Sequence, residues 1–369
     1  MVRAGLGTGW TCLFANDFDH KKSRVYRQNW GDGELRIADV ETLKSGDLPG
    51  QPHLVWASFP CQDLSLAGGG AGLKGNRSGT FWPFWRLMKA RIAEQRPPGM
   101  IVLENVCGTL TSHDGKDFTA ICAALSDEGY SIGVLVIDAS LFVPHSRPRL
   151  FIICTRMNAA IPNSCVSSGP VLPWHTKAVR TAYARLPAEI RRGWIWWNPS
   201  VPPARTKSLS DLIEDHPADV RWFSKDETSR LIAKMSDLNR EKLAQAKLQR
   251  RRIVGGLYRR TREDEFGRKV QRAEIRFDDI SGCLRTPAGG SSRQVILVVE
   301  GESVKARLIS GRETARLMGL PDTYTLPQRY NEAYHLTGDG VVVPVVRHLA
   351  RCIFEPVVES MKARATVAA

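Results

Sequence analysis

Short apolar runs alternate with helix-length stretches over the first 156 residues of this 369-residue chain. The runs Cys12–Asn16, His53–Ser58, Met100–Glu104, Ile132–Asp138 and Leu150–Thr155 are strand-sized. Between the second and the third, Phe81–Gln95 carries apolar residues at helical spacing and is stopped by Arg96-Pro97-Pro98. Strands separated by helix-length segments predict an α/β fold: a mostly parallel sheet with helices on both faces. In such a sheet ligands lie beyond the carboxyl ends of the strands, so the residues just after each strand are the ones to read for chemistry.

The pattern changes after Arg156. Residues 157–205 are rich in Pro, Trp and Ser and show no clear period. Residues 225–252 predict one long basic helix ending in Gln249-Arg250-Arg251-Arg252. Leu257–Arg262 and Ala273–Phe277 read as strand pieces, and Thr286-Pro287-Ala288-Gly289-Gly290 as a turn. Beyond about residue 300 order returns, with a helix near Gly311–Met318 and a closing helix from about Pro344 to Phe354. The simplest organisation is a core made of residues 1–156 and 296–369, interrupted by a smaller mixed domain over residues 157–295.

Composition narrows the class. Hydrophobic residues make up 43% and charged residues 24%, ordinary for a soluble globular chain. No apolar stretch approaches the ~18 residues of a membrane helix, and the start MVRAGLGTGW lacks a signal-peptide core. A cytoplasmic protein with no membrane partner is expected. Eight cysteines occur without any C-x-x-C pair, which argues against a metal site and a disulfide framework and fits a reducing compartment. The net charge of +14 is unevenly spread: residues 155–300 hold 27 basic against 16 acidic residues, the remainder 25 against 22. A basic excess confined to one segment is the footprint of a polyanion binder, the competing reading being a solvated surface.

The sharpest chemical feature is Ser58-Phe59-Pro60-Cys61-Gln62, directly after a strand. Pro60 stiffens the approach of a thiol placed to meet a ligand. A lone cysteine is more often a buried core residue, but Gly68-Gly69-Gly70-Ala71-Gly72 follows within reach of closing over a substrate, which favours a nucleophile. The next strand ends in Glu104-Asn105-Val106, where a carboxylate either serves the same ligand or caps a helix. The last strand of this half follows His145-Ser146-Arg147-Pro148-Arg149, whose alternating arginines point at one site or are surface charges. Thiol, carboxyl and guanidinium from three strand ends suit an electron-poor, hydrogen-bonding heterocycle.

This constellation resembles the C5-cytosine methyltransferases. Pro60-Cys61 matches the family's Pro-Cys nucleophile, Glu104-Asn105-Val106 its Glu-Asn-Val, and His145-Ser146-Arg147-Pro148-Arg149 its Gln-x-Arg-x-Arg. Arg312-Glu313-x-Ala315-Arg316-Leu317-Met318-Gly319-Leu320-Pro321 looks like the penultimate motif, and Gly338-Asp339-Gly340-Val341 like the last. The order is right, over about residues 10–156 and 300–356. The resemblance implies a Rossmann-like, S-adenosylmethionine-dependent fold and a DNA (cytosine-5-)-methyltransferase acting on double-stranded DNA. It also implies a target recognition domain at residues 157–295. Cys61 would attack cytosine carbon 6, Glu104 would bond ring N3 and the exocyclic amine, and Arg149 would hold O2 with Arg147 in support. Asp17 and Phe18 would hold the ribose and adenine of the cofactor, Asp39 and Val40 the adenine amine, with Pro60, Asp339 and Val341 completing its site. His145 stands where the family has Gln, with little loss expected; Asp339 stands where it has Asn, adding a charge near the methionine end.

The resemblance also shapes the remaining expectations. The family's first strand and Phe-x-Gly-x-Gly loop are not seen ahead of Cys12–Asn16, so the sheet is expected to lack its first strand and the cofactor to bind weakly. Other readings are a catalytically impaired DNA-binding relative and a tRNA-methylating branch. A nicotinamide dehydrogenase finds no G-x-G-x-x-G at a strand-to-helix junction. A cognate restriction endonuclease would be a functional rather than physical partner, and a bacterial host would place the enzyme on the nucleoid.

Overall fold

A computed structural model describes residues 1–59, 80–285 and 293–368 of the chain. It divides into two compact units: Leu6–Asp138 with Pro148–Pro202 and Val346–Ala369, and Met1–Gly5 with Ala139–Arg147 and Pro203–Val345. A short helix, α1 (Val2–Leu6), opens the chain.

In the first unit β1 (Ala15–Asp17), α2 (His20–Trp30) and β2 (Leu35–Ile37) form a small β-α-β layer. The two strands pair in parallel, Ala15 opposite Leu35 through Asp17 opposite Ile37, as a two-stranded sheet of their own. Further along come β3 (Leu54–Ser58), α3 (Phe81–Ala93), β4 (Met100–Asn105), α4 (Lys116–Asp127), β5 (Tyr130–Asp138) and β6 (Pro148–Arg156). They are followed by β7 (Val166–Ser167), α5 (Lys177–Arg185), α6 (Ala188–Arg192) and β8 (Trp194–Trp197). The main sheet runs β3-β4-β6-β5-β8-β7. Every position of β4 is buried, as its Met-Ile-Val-Leu run requires of a strand covered on both faces. Phe81, Trp85, Met88, Phe118, Ile121 and Leu125 pack with Leu103, Ile132, Val134 and Ile152 in one core.

The sheet is α/β but mixed rather than mostly parallel. β3–β4 and β5–β8 are parallel, whereas β4–β6, β5–β6 and β7–β8 are antiparallel. The cause is the connection Ala139–Arg147, shorter than the dozen or so residues a parallel crossover needs. Strand β6 must therefore turn back, and it does so between β4 and β5.

Residues 157–202 pack with this sheet. Trp197 is fully buried and its indole Nε1 donates to the Ile153 carbonyl at 3.0 Å. Opposite it lies Gly133, where a Cβ would stand 2.4 Å from the Ile195 carbonyl and the Trp197 ring, so no larger residue fits. The boundary expected at residue 157 thus lies inside the compact unit, and the chain leaves it only at Pro203.

The second unit holds α7 (Lys225–Ala233), α8 (Asp237–Leu248), β9 (Ile253–Glu263), β10 (Lys269–Arg276), β11 (Val295–Glu300), β12 (Ser303–Leu308), α9 (Gly311–Leu317) and α10 (Tyr330–Asp339). Its sheet is antiparallel throughout, in the order β10-β9-β11-β12. Leu231, Met235, Leu243 and Ala246 from the helical side pack on Leu257, Ala273, Ile275 and Leu297. The single long helix expected over 225–252 is two. Ser224 and Glu227 make a capping box that starts the first, and Ser236 is the N-cap of the second. Buried Met235 sits in the turn between them, which lets both helices cover the same core. The turn expected at Thr286–Gly290 lies outside the described residues.

Candidate active site

Glu104 is the fifth residue of β4 and stands level with Ser58, the last of β3, in parallel register. The chain therefore leaves the end of β3 at the level of Glu104. Pro60 and Cys61 themselves, with the segment Asp63–Gly79, lie outside the described residues. What precedes them is firmly held. Phe59 is buried and its ring packs 5.7 Å from that of Phe81, at the start of α3. The buried Asn105 amide donates from Nδ2 to the Phe59 carbonyl at 3.2 Å, while its Oδ1 accepts from the Val106 N–H at 2.8 Å. Asn105 thus ties the end of β4 to the residue before Pro60. Sequence reading gave it no role, although it sits in the Glu-Asn-Val triplet.

Arg149 joins Glu104. In the antiparallel β4–β6 register Glu104 faces Phe151, so Arg149, two residues earlier, is its diagonal neighbour on the same face. Its Nε lies 3.2 Å from Glu104 Oε1, with only 16% and 8% of the two side chains exposed. Nη1 donates to the Pro148 carbonyl at 2.8 Å, which orients the guanidinium further. Nearby Cys107 has its thiol pKa raised by burial, partly offset by the charge of Arg149. That keeps it protonated and a poor nucleophile.

Arg147 is not part of this pair. It belongs to the second unit, where its buried guanidinium donates to the carbonyls of Leu284 (3.1 Å), Gly338 (2.6 Å) and Gly340 (2.8 Å). The last two close α10, whose final carbonyls have no partner within the helix. His145, also buried, accepts the Leu284 N–H on Nε2 at 3.1 Å, and the backbones of Pro144 and Ser146 bond Ser281. Residues 144–147 therefore fasten the 281–284 segment, with His145 among the residues that brace it. Arg147 shares that task, contrary to its expected place beside Arg149: β6 starts at Pro148, so the alternation that would align the two arginines does not reach it.

The candidate cofactor residues fall in two groups. Asp17, Phe18, Asp39 and Val40 gather at the common carboxyl end of β1 and β2. Asn16 Nδ2 clamps that end by donating to the carbonyls of Arg36 and Ala38, both at 2.9 Å. Asp17 Oδ1 accepts the Asp19 N–H, and Asp39 Oδ1 the Glu41 N–H, each at 2.9 Å. The Phe18 ring is 70% exposed. A bare aromatic face beside a carboxylate fits an adenosine, with the ring for the base and the acid for the ribose hydroxyls. In the second unit Asp339 is the exposed last residue of α10 and Val341 is buried.

A family model described as C-5 cytosine-specific DNA methylase matches residues 3–355. The type II methyltransferase M.Bsp6I of Bacillus sp. (strain RFL6) is 24% identical over 350 residues, 93% of this chain and 91% of the relative. M.BsuFI of Bacillus subtilis is 32% identical over 154 residues, 41% of this chain and 36% of the relative. The Entamoeba histolytica methyltransferase EhMeth shares the fold, with a TM-score of 0.58 at 12% identity over 94% of this chain and 90% of its own. Matched by that model over nearly its whole length, the chain belongs to the C-5 cytosine-specific DNA methylases, which take their methyl group from S-adenosylmethionine.

Proposed function

We propose that this DNA cytosine-C5 methyltransferase works through Cys61, with Glu104 and Arg149 holding the base. The observation that carries the reading is the Glu104–Arg149 pair at 3.2 Å, level with the end of the strand from which Pro60-Cys61 departs. Carbon 5 of cytosine is a weak nucleophile. Addition of the Cys61 thiolate to carbon 6 moves electron density onto carbon 5. Glu104, hydrogen-bonded at N3 and the exocyclic amine, stabilises the ring as that density shifts, and Arg149 holds O2. S-adenosylmethionine, when bound, supplies an electrophilic methyl group. Loss of the carbon-5 proton and elimination of the sulfur then restore the aromatic ring and free Cys61. Because carbon 6 is inaccessible in a stacked duplex, the cytosine must leave the helix.

Asp17, Phe18, Asp39 and Val40 are the residues we assign to the adenosine of the cofactor, with Pro60, Asp339 and Val341 towards its reactive end. Arg147 acts as a positioning residue. Target recognition falls to the insert at residues 157–295, above all to the part beyond Pro203. The setting we infer is cytoplasmic, on nucleoid DNA in a bacterial host, with a cognate endonuclease related by function. The test is covalent trapping. With cofactor present, DNA bearing 5-fluorocytosine should hold the wild type as a denaturation-stable complex, and Cys61→Ser should not be held. Equal trapping of both overturns the assignment. Glu104→Gln should keep DNA binding and lose most turnover.

A further inference from the structure

One strand outlasts its sheet. β11 pairs with β9 only from Ile253 to Leu257, yet β9 continues to Glu263. Beyond Tyr258 it is paired with β10 alone, in five residue pairs from Arg259 with Ala273 to Glu263 with Lys269. At about 3.4 Å per residue this makes a two-stranded ribbon roughly 17 Å long. A lone ribbon is at best marginally stable in water, and this one is loaded with charge. Arg259, Arg260, Arg262, Lys269 and Arg272 are basic, against Glu263 alone among the paired residues. Its tip is locally locked. Asp264 Oδ1 accepts the N–H groups of Phe266 (3.0 Å) and Arg268 (2.9 Å), and Gly267 turns the chain at φ +72. Phe266 is 72% exposed there, with the Arg268 guanidinium 4.9 Å from its ring.

The two faces of the ribbon differ. Residues directly opposite share a face, so Arg260 and Arg262 of β9 lie on the same side as Arg272 of β10. Glu274, on that side and nearer the sheet, accepts Arg262 Nε at 2.6 Å and stands 3.3 Å from Arg260 Nε. Although Glu274 takes its Nε, the Arg262 side chain remains 52% exposed. Arg272 forms no ion pair among the described residues.

We propose that this ribbon enters the major groove of the substrate duplex and that Arg262 and Arg272 read guanine edges within the methylated sequence. The inference rests on the DNA methyltransferase reading above and adds the element and residues that set its specificity. Two strands about 4.8 Å apart with their side chains fill a groove about 12 Å wide, and a guanidinium fork matches guanine O6 and N7. Arg260, held by Glu274 and lying 5.8 Å from the Tyr258 ring, positions the base of the ribbon.

The test begins with bisulfite sequencing of host DNA to define the sequence methylated by the wild type. The ratio of kcat/KM between that duplex and duplexes altered at one G·C pair is then measured for wild type, Arg262→Ala, Arg262→Lys and Arg272→Ala. Each alanine variant should lose about 5- to 150-fold of the ratio at one particular G·C pair, with an unchanged melting temperature. Arg262→Lys should behave as the alanine does, because lysine keeps the charge and loses the fork. Rescue by lysine, or a loss spread evenly over all duplexes, puts the arginine on phosphate and overturns the proposal. Unchanged ratios in all variants of an active enzyme overturn the ribbon alone. A wild type that methylates no duplex overturns the enzyme reading and the ribbon together.

Discussion

Replacing Arg147 by Met tests the proposed division between a positioning arginine and one that holds the base. Arg147 is 2% exposed, and its guanidinium serves three backbone carbonyls, those of Leu284, Gly338 and Gly340. Methionine fills most of the volume and makes none of these bonds. Each carbonyl left dry costs about 1–3 kcal/mol, and the C-terminus of α10 loses a cation worth up to about 2 kcal/mol. Relaxation and water entry recover part, so a net loss of about 3–5 kcal/mol is expected, a large share of the stability of an ordinary domain. Arg149→Met loses one partly screened ion pair and should cost less than half as much, while nearly abolishing turnover. The assay pairs urea unfolding, followed by fluorescence, with kcat and KM for methyl transfer, and adds hydrogen exchange at Gly340–Val342. Arg147→Met should lose protection at those amides and regain activity on cooling or with stabilising osmolyte. A variant of wild-type stability and protection with turnover as low as that of Arg149→Met would refute this division of roles.

Three further outcomes are expected. His175 is buried against the Trp196 ring and its Nδ1 accepts the Val171 N–H at 2.8 Å; desolvation lowers its pKa from 6.5 to about 4. The unfolded chain therefore takes up the proton first, so this contribution is intact above pH 6.5 and is lost as pH falls towards 4, about 3 kcal/mol in all. Urea unfolding from pH 4 to 8 should show that slope, flattened in His175→Phe; parallel curves would count against it. Phe18→Ala should weaken S-adenosylmethionine by about tenfold in calorimetric titration without lowering the melting temperature, since its ring is already exposed. Neutralising Arg250 and Arg251 should flatten the salt dependence of DNA binding, by about 0.9 in the log–log slope for every phosphate the two side chains pair with in the wild type. Arg252, bonded to Ser210 Oγ and Asp215, should instead cost stability.

Strand positions and motif order were legible because apolar runs bounded by breakers leave little choice. The strands Met100–Asn105, Tyr130–Asp138 and Pro148–Arg156 lie where the runs Met100–Glu104, Ile132–Asp138 and Leu150–Thr155 put them. Strand direction was missed, since the runs suggested a mostly parallel sheet; the signal lay in the connection Ala139–Arg147, too short for a parallel crossover. The break before Ser236 was harder to see, since a buried Met235 keeps the helical period although the first helix ends at its C-cap Lys234 and Ser236 caps the next. Residues 157–205 gave no periodicity because their place in the sheet depends on Trp197 filling the space above Gly133, a long-range packing requirement. Asn105 was missed for a similar reason. Its work is a bond to the carbonyl of Phe59, 46 residues away.

The thiols of the described residues differ in environment. Cys122 and Cys154 are fully buried, and burial pushes both thiols far up. Cys107 is the instructive case, because it lies close enough to Arg149 to feel its charge. A guanidinium that near would ordinarily favour a thiolate. Here the cost of burial is the larger influence and the thiol is held above its usual value. The residue that steadies Glu104 thus leaves the Cys107 thiol protonated, because desolvation outweighs the neighbouring charge.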